Sequence, residues 1–229
     1  MLRICRALIP VLAGLAVTAD ALTAQTIRSP YRHVDERQAV GFFGGYIFTD
    51  RGELELGPES GLAFGARYSI RLGGSPFSAE ANVGLFPTTR VVFDTVGVDL
   101  PLAEVGEADL TLLLADASLR FDLTGPRTYY GFMPFVLAGG GLAAALSEDD
   151  DADSDLAADA RFRFGTRFAG HVGAGFEWFA LPRLSLRAEA KDMFWKLRTP
   201  HAFARQNLDV SGSEWVQNFL LSLGLVYRF

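Results

Sequence analysis

The residues best equipped for chemistry are charged side chains recurring at every second position. Arg187, Glu189 and Lys191 alternate with Leu186, Ala188 and Ala190. Asp116, Arg120 and Asp122 alternate with Ala115, Ala117, Leu119 and Phe121. Arg67, Glu80, Arg167, Glu177 and Arg228 have similar surroundings. In an extended chain this spacing puts a segment's charges on one face and its apolar residues on the other. Both signs are present. A buried face of this kind must pair and hydrogen-bond its charges. The expected chemistry is an ion network that holds a shape. A gated ion path is the alternative use of the same groups.

His171 shares the polar face of its segment. A catalytic histidine needs a nucleophile and an orienting acid beside it. Positions 169 and 173 are Ala and Gly, so the segment itself offers no serine at i±2. His201 stands near Ser211 and Ser213, with nothing to fix their geometry. His171 is therefore expected to be a hydrogen-bonding member of the network, and no catalytic residue is assigned. The run Glu148-Asp149-Asp150-Asp151-Ala152-Asp153-Ser154-Asp155 could gather a divalent cation. It lacks the glycine and the final glutamate of a calcium-binding loop. A solvated loop, with at most weak cation binding over Asp149–Asp155, is expected. Gly139-Gly140-Gly141 lies within an apolar segment rather than between a strand and a helix, so it cradles no phosphate. Neither a cofactor nor a dedicated metal site is expected.

The elements that carry these residues read as strands. Eight segments show strand character: Gln38–Phe48, Gly61–Leu72, Phe77–Phe86, Ala108–Leu123, Phe135–Leu146, Phe162–Phe179, Leu184–Phe194 and Val216–Phe229. None of these spans contains a proline, as strand interiors require. Period-two alternation is clear in five of them. The first and fifth, rich in Gly and Ala, declare no face. Connections alternate in length. Gly73-Gly74-Ser75-Pro76 and Ala180-Leu181-Pro182-Arg183 are tight, and Thr124–Pro134 carries Thr124-Gly125-Pro126. Thr49–Ser60, Pro87–Glu107, Ser147–Ala160 and Trp195–Trp215 are long and mostly polar.

Hydrophobic residues make up 49 % of the chain, yet beyond the N-terminus no apolar run reaches the roughly 18 residues of a spanning helix. The N-terminus itself has the pattern of a cleaved export signal. Arg3 and Arg6 precede the apolar run Ala7–Ala19, and small residues follow at Ala19, Ala21 and Ala24. The expected division is a signal over 1–24, cleaved after 21 or 24, then a periplasmic lead-in over 25–37 and a barrel over 38–229. Cys5, the sole cysteine, falls in the signal. The net charge of −6 argues against a nucleic-acid partner.

Alternation suits a soluble β-sandwich as well as a membrane barrel. The two differ in which face meets the outside. Aromatics near the ends of the apolar face (Phe162, Phe164, Phe176, Trp178, Tyr227 and Phe229) fit interfacial girdles. The fold expected is all-β: a closed antiparallel transmembrane barrel of about eight strands in an up-and-down meander.

The last segment, Phe219-Leu220-Leu221-Ser222-Leu223-Gly224-Leu225-Val226-Tyr227-Arg228-Phe229, alternates and ends on an aromatic. With the export signal, it resembles the small bacterial outer-membrane β-barrels of the OmpA/OmpX-like class. The resemblance implies that Leu225, Tyr227 and Phe229 form a terminal signal read by the barrel-assembly machinery. It also implies outer-membrane lipid and lipopolysaccharide as surroundings, with periplasmic termini. Some barrels of this kind modify lipid A, so the enzyme and the narrow small-solute channel stand as alternatives to a surface-interaction scaffold. No peptidoglycan-binding domain is expected after Phe229.

Overall fold

A computed structural model describes residues 29–94, 103–148, 160–201 and 212–229. The signal, the acidic run Asp149–Asp155 and Ser211 lie outside the described residues. Ten strands are present among the described residues: β1 Tyr31–His33, β2 Gln38–Phe48, β3 Gly61–Arg71, β4 Phe77–Asp94, β5 Ala103–Asp122, β6 Arg127–Tyr129, β7 Phe132–Glu148, β8 Thr166–Phe179, β9 Leu184–Arg198 and β10 Ser213–Arg228. Eight of them, β2–β5 and β7–β10, pair antiparallel with their neighbours in chain order. β10 pairs back to β2, from Phe219↔Phe48 to Arg228↔Ala39, and closes the barrel. Closure removes the free edges that would otherwise expose unpaired backbone.

Five strands, β4, β5, β7, β9 and β10, run beyond the spans that the alternation marks out, and two of them cross a proline. β4 runs through Pro87 to Asp94, and β7 starts at Phe132 and includes Pro134. Proline has no N–H to give a ladder, so it needs a place where one ladder has stopped. The β3–β4 ladder ends at Phe64↔Leu85, before Pro87. The β5–β7 ladder ends at Asp122↔Phe135, and Pro134 still accepts the Leu123 N–H at 2.9 Å.

β8 is shorter than expected, because Phe162–Gly165 lies outside it. Gly165 has φ +61°, and this left-handed turn shifts the face on which the chain enters the strand. Phe162 and Phe164 are consequently buried, whereas Phe168, Phe176 and Trp178 point outward. The two phenylalanines assigned from sequence to an interfacial girdle are core residues instead.

The expected lead-in is partly built into the barrel. β1 pairs with β6 in the connection between β5 and β7, and a two-residue turn at Tyr130-Gly131 joins β6 to β7. Both turn residues have positive φ, 51° and 84°, as a tight hairpin of matching twist requires. Beyond β1, Val34 is buried with Met133 and Phe179 at the turn end of the lumen, and its carbonyl accepts Arg71 Nη1 at 2.6 Å.

The wall has an inverted polarity. Phe42, Leu62, Leu142, Phe168 and Leu223 are among a belt of large apolar side chains on the outside, with Phe42 and Leu223 each 72 % exposed. Glu80, Arg120, Glu177 and Arg187 are buried within. A soluble barrel would do the opposite. An apolar exterior over closed, fully paired backbone is the solution a hydrocarbon solvent imposes. The chain is a transmembrane β-barrel.

Candidate functional site

The lumen is the concentration of chemistry. Its walls are the odd-numbered residues of β2, β3, β7, β8 and β9, and the even-numbered ones of β4, β5 and β10. The first barrel strand, silent in the sequence, turns Ala39, Gly41, Phe43, Gly45 and Ile47 inward. The fifth barrel strand turns in Phe135, Leu137, Gly139, Gly141 and Ala143.

Towards the turn end, the charges meet across the barrel. Arg187 on β9 grips Glu80 on β4 at two points, Nη1–Oε1 at 2.7 Å and Nη2–Oε2 at 2.9 Å. Arg187 also reaches Glu189 beside it, and Arg67 on β3 bonds the same Glu189 at 2.9 Å. Arg120 on β5 links Asp122 at 2.7 Å, Glu80 at 3.3 Å and Glu177 on β8. Arg228 on β10 donates to the other oxygen of Glu177, which also accepts Ser185 Oγ at 3.2 Å. Phe135 stands between two guanidiniums, with Arg120 4.1 Å and Arg187 4.2 Å from its ring centroid. Arg67 lies over Phe43 and Arg228 over Phe179 in the same manner. Aromatic faces thus take the guanidinium planes while carboxylates take their edges.

A second layer lies above. Asp116 accepts Asn82 Nδ2 at 2.8 Å and faces Lys191 at 3.4 Å. His171 Nε2 lies 2.8 Å from Ser118 Oγ and 3.7 Å from Asp116 Oδ1. Ser118 and His171 come from β5 and β8, with β7 between them. They meet because Gly139, opposite both, has no side chain. A Cβ there would stand 2.1 Å from the Ala117 carbonyl and 2.8 Å from His171 Nε2. A serine does therefore meet His171, from another strand. Yet Ser118 and Asp116 address the same ring nitrogen. A hydrolytic triad uses both nitrogens, one for the nucleophile and one for the orienting acid.

Towards the loop end the lumen turns apolar. Ile47, Ala63, Phe86, Leu112, Phe164 and Trp195 pack together there, and Leu56 of the β2–β3 connection is buried with them. The connection is tied down by Glu53 N–H on the Glu214 carboxylate at 3.0 Å and by Thr88 Oγ1 on the Glu59 carbonyl at 2.6 Å. This apolar layer explains Leu220, which interrupts the polar face of β10 in the sequence and is buried here.

Of the charges singled out from sequence, Arg67, Glu80, Asp116, Arg120, Asp122, His171, Glu177, Arg187, Glu189, Lys191 and Arg228 come together. Arg167 does not: it sits at the loop end, half-buried, and donates to the Arg163 carbonyl at 3.1 Å. Sequence reading missed Arg71, 3.9 Å from Asp122, although it continues the Arg67-Ser69 row. It also missed Phe135, which no charge pattern could reveal. Leu225, Tyr227 and Phe229 line the outer wall of β10 and its end. His201 is exposed.

No protein-family model matches the chain. No curated protein matches it either. Solved structures do. OprG, an outer membrane protein from Pseudomonas aeruginosa, superposes with a TM-score of 0.52 at 14 % identity, covering 85 % of this chain and 97 % of that one. Neisserial surface protein A gives a TM-score of 0.50 at 15 % identity, covering 88 % and 98 %. The chain shares the fold of small outer-membrane β-barrels.

Proposed function

We propose that this protein is an outer-membrane scaffold whose lumen is plugged by its own ion network and whose long connections face outward as an interaction surface. The carrying observation is the two-point contact between Arg187 and Glu80. Their strands are separated by three others in either direction around the barrel, β10, β2 and β3 one way and β8, β7 and β5 the other. The pair therefore spans the full width of an eight-stranded barrel. A lumen of this size is filled by side chains. The buried aromatic Phe135 and the apolar layer towards the loops add further obstruction. With the even strand number, the short turns and both ends of the barrel lie at one rim, assigned to the periplasm.

Lipid vesicles containing the refolded barrel test the plug. They are expected to swell in an isotonic pentose solution no faster than empty vesicles. Swelling at the rate of a general porin would reject it. A cysteine placed at Ser60 is expected to react with a membrane-impermeant maleimide on intact cells, and failure to react would reverse the assigned orientation.

A further inference from the structure

The segment before the barrel crosses the turn-end mouth of the lumen. Gln38 opens β2, while β1 is paired with β6, which turns into β7. β2 and β7 stand on opposite sides of the cylinder, with β3, β4 and β5 between them one way and β10, β9 and β8 the other. The chain from His33 to Gln38 therefore runs from one side to the other. Near its start Val34 turns inward onto Met133 and Phe179, and its N–H donates to the Pro126 carbonyl at 3.0 Å. Near its end the Arg37 carbonyl accepts the Arg71 N–H at 2.8 Å, and Glu36 pairs with Arg183 at 3.4 Å. Tyr31, Arg32, His33, Asp35 and Arg37 are exposed, so Val34 is the apolar anchor.

The hold on this segment is light beside that of the wall. The β1–β6 ladder has three register pairs, against eight in the shortest wall ladder, β3–β4. A ribbon of two short strands is marginal by itself. Local opening therefore costs far less here than unfolding of the wall. One charge sits at the contact. Arg71 Nη1 donates to the Val34 carbonyl at 2.6 Å, while its Nε and Nη2 are buried with no hydrogen-bond partner among the described residues. Asp122 gives Oδ1 to Arg120 at 2.7 Å and turns Oδ2 towards Arg71 Nη2, 3.9 Å away. Arg71 thus has two acceptors within reach. It holds the carbonyl, and the carboxylate lies about 1 Å beyond a normal hydrogen bond. For a guanidinium the carboxylate is the stronger acceptor.

We propose that Tyr31–Arg37 is a strap that opens and closes the turn-end mouth while the barrel stays folded, with Arg71 as its two-position latch. Closed, Arg71 holds the Val34 carbonyl. Open, β1 parts from β6, Val34 leaves Met133 and Phe179, and Arg71 closes onto Asp122. The guanidinium has an acceptor in both positions, which keeps the two states near balance, as a switch requires. Opening admits water and small ions from the turn side to Asp122, Glu177 and Arg228. It admits them no further, because Ile47, Phe86, Leu112 and Trp195 pack the loop end. The strap makes the ion layer answer to the solution on one side only. This goes beyond the plug and does not depend on which rim is periplasmic.

The test uses the full chain refolded in detergent, with Cys5→Ser and one introduced thiol. Met133→Cys, against Val34, reports the mouth, and Leu112→Cys, in the apolar layer, reports the loop end. Both positions are fully buried. The probe is a charged, water-soluble methanethiosulfonate, and the folded gel position is checked in every variant. Val34→Asp and, separately, Arg71→Met are each expected to speed the reaction at Met133→Cys at least tenfold and to leave that at Leu112→Cys within twofold. Asp122→Asn weakens the open-state partner of Arg71 and is expected to slow the reaction at Met133→Cys about threefold. Val34→Ala takes the place of Val34→Asp if the latter loses the folded position. Equal acceleration at both reporters would mean that the whole barrel loosens, and no acceleration at Met133→Cys would mean that the segment is fixed filling. Either result would overturn the strap. A rate unchanged or raised by Asp122→Asn would overturn the latch.

Discussion

Arg187 and Glu80 face each other across the barrel and join through two parallel hydrogen bonds, 2.7 and 2.9 Å long. The contact links strands on opposite sides of the sheet cylinder. It therefore works as a tie rod as well as an obstruction. Glu177 makes a similar tie close by, where Arg120 and Arg228 hold its two oxygens from different strands.

Cutting the tie leaves a buried charge without its counterpart. Arg187→Ala and Glu80→Ala are each expected to cost about 3–5 kcal/mol of barrel stability, and Glu189→Ala a similar amount. Urea unfolding in lipid vesicles, followed by tryptophan fluorescence, measures this. The double variant Glu80→Leu/Arg187→Leu should lose less than the two single variants together, since no charge is stranded. Strict additivity would show that the two side chains do not depend on each other.

Gly139 leaves the space in which Ser118 reaches His171. Gly139→Val is expected to destabilise by about 1–3 kcal/mol through overpacking. Gly74→Val, at a turn where a Cβ would meet nothing within 4 Å, serves as the comparison. Equal unfolding midpoints for the two variants would mean that the crossing at Gly139 is not tight.

The reversal of face at Gly165 separates Phe164 from Phe176. Phe164 is fully buried and packs against Trp195 with ring centroids 6.0 Å apart. Phe164→Ala is expected to cost about 3–5 kcal/mol. Phe176→Ala, on the lipid-facing wall, should cost clearly less. The opposite ranking would restore Phe164 to the girdle.

These positions show how far the sequence could be read. β2 was legible to the residue, because its apolar run is bounded by polar stretches on both sides. The charge rows of β5, β8 and β9 were legible because a period of two needs no tertiary information. Their mutual pairing was not, since Arg187 and Glu80 are 107 positions apart and only closure brings them together. The apolar layer was hidden for a different reason. In Met193-Phe194-Trp195 both faces are apolar, so alternation vanishes and the pattern stops at Phe194 although the strand continues. Pro87 and Pro134 hid strand length in the same way, because their tolerance depends on where a neighbouring ladder stops. Phe162 and Phe164 misled because one glycine with positive φ reverses the face.

The end of β10 carries the resemblance to other small barrels in its aromatic. Phe229 exchanges backbone hydrogen bonds with Gln38, so it also helps close the cylinder. Phe229→Asp is expected to reduce heat-modifiable protein in the outer membrane several-fold, and Arg228→Gln less so. Immunoblots of membrane fractions compare them. Equal amounts of the two variants would remove the terminal aromatic from any role in assembly.

The central claim is that the barrel is closed to solutes by its own side chains. Single-channel recording of the wild-type barrel in planar bilayers tests it most directly. The expected record is flat, with no steady conductance at moderate voltage, and Arg187→Ala/Glu80→Ala should introduce brief openings. A large, stable conductance in the wild type would contradict the plug and recast Arg67, Arg120, Arg187 and their carboxylates as the lining of a channel.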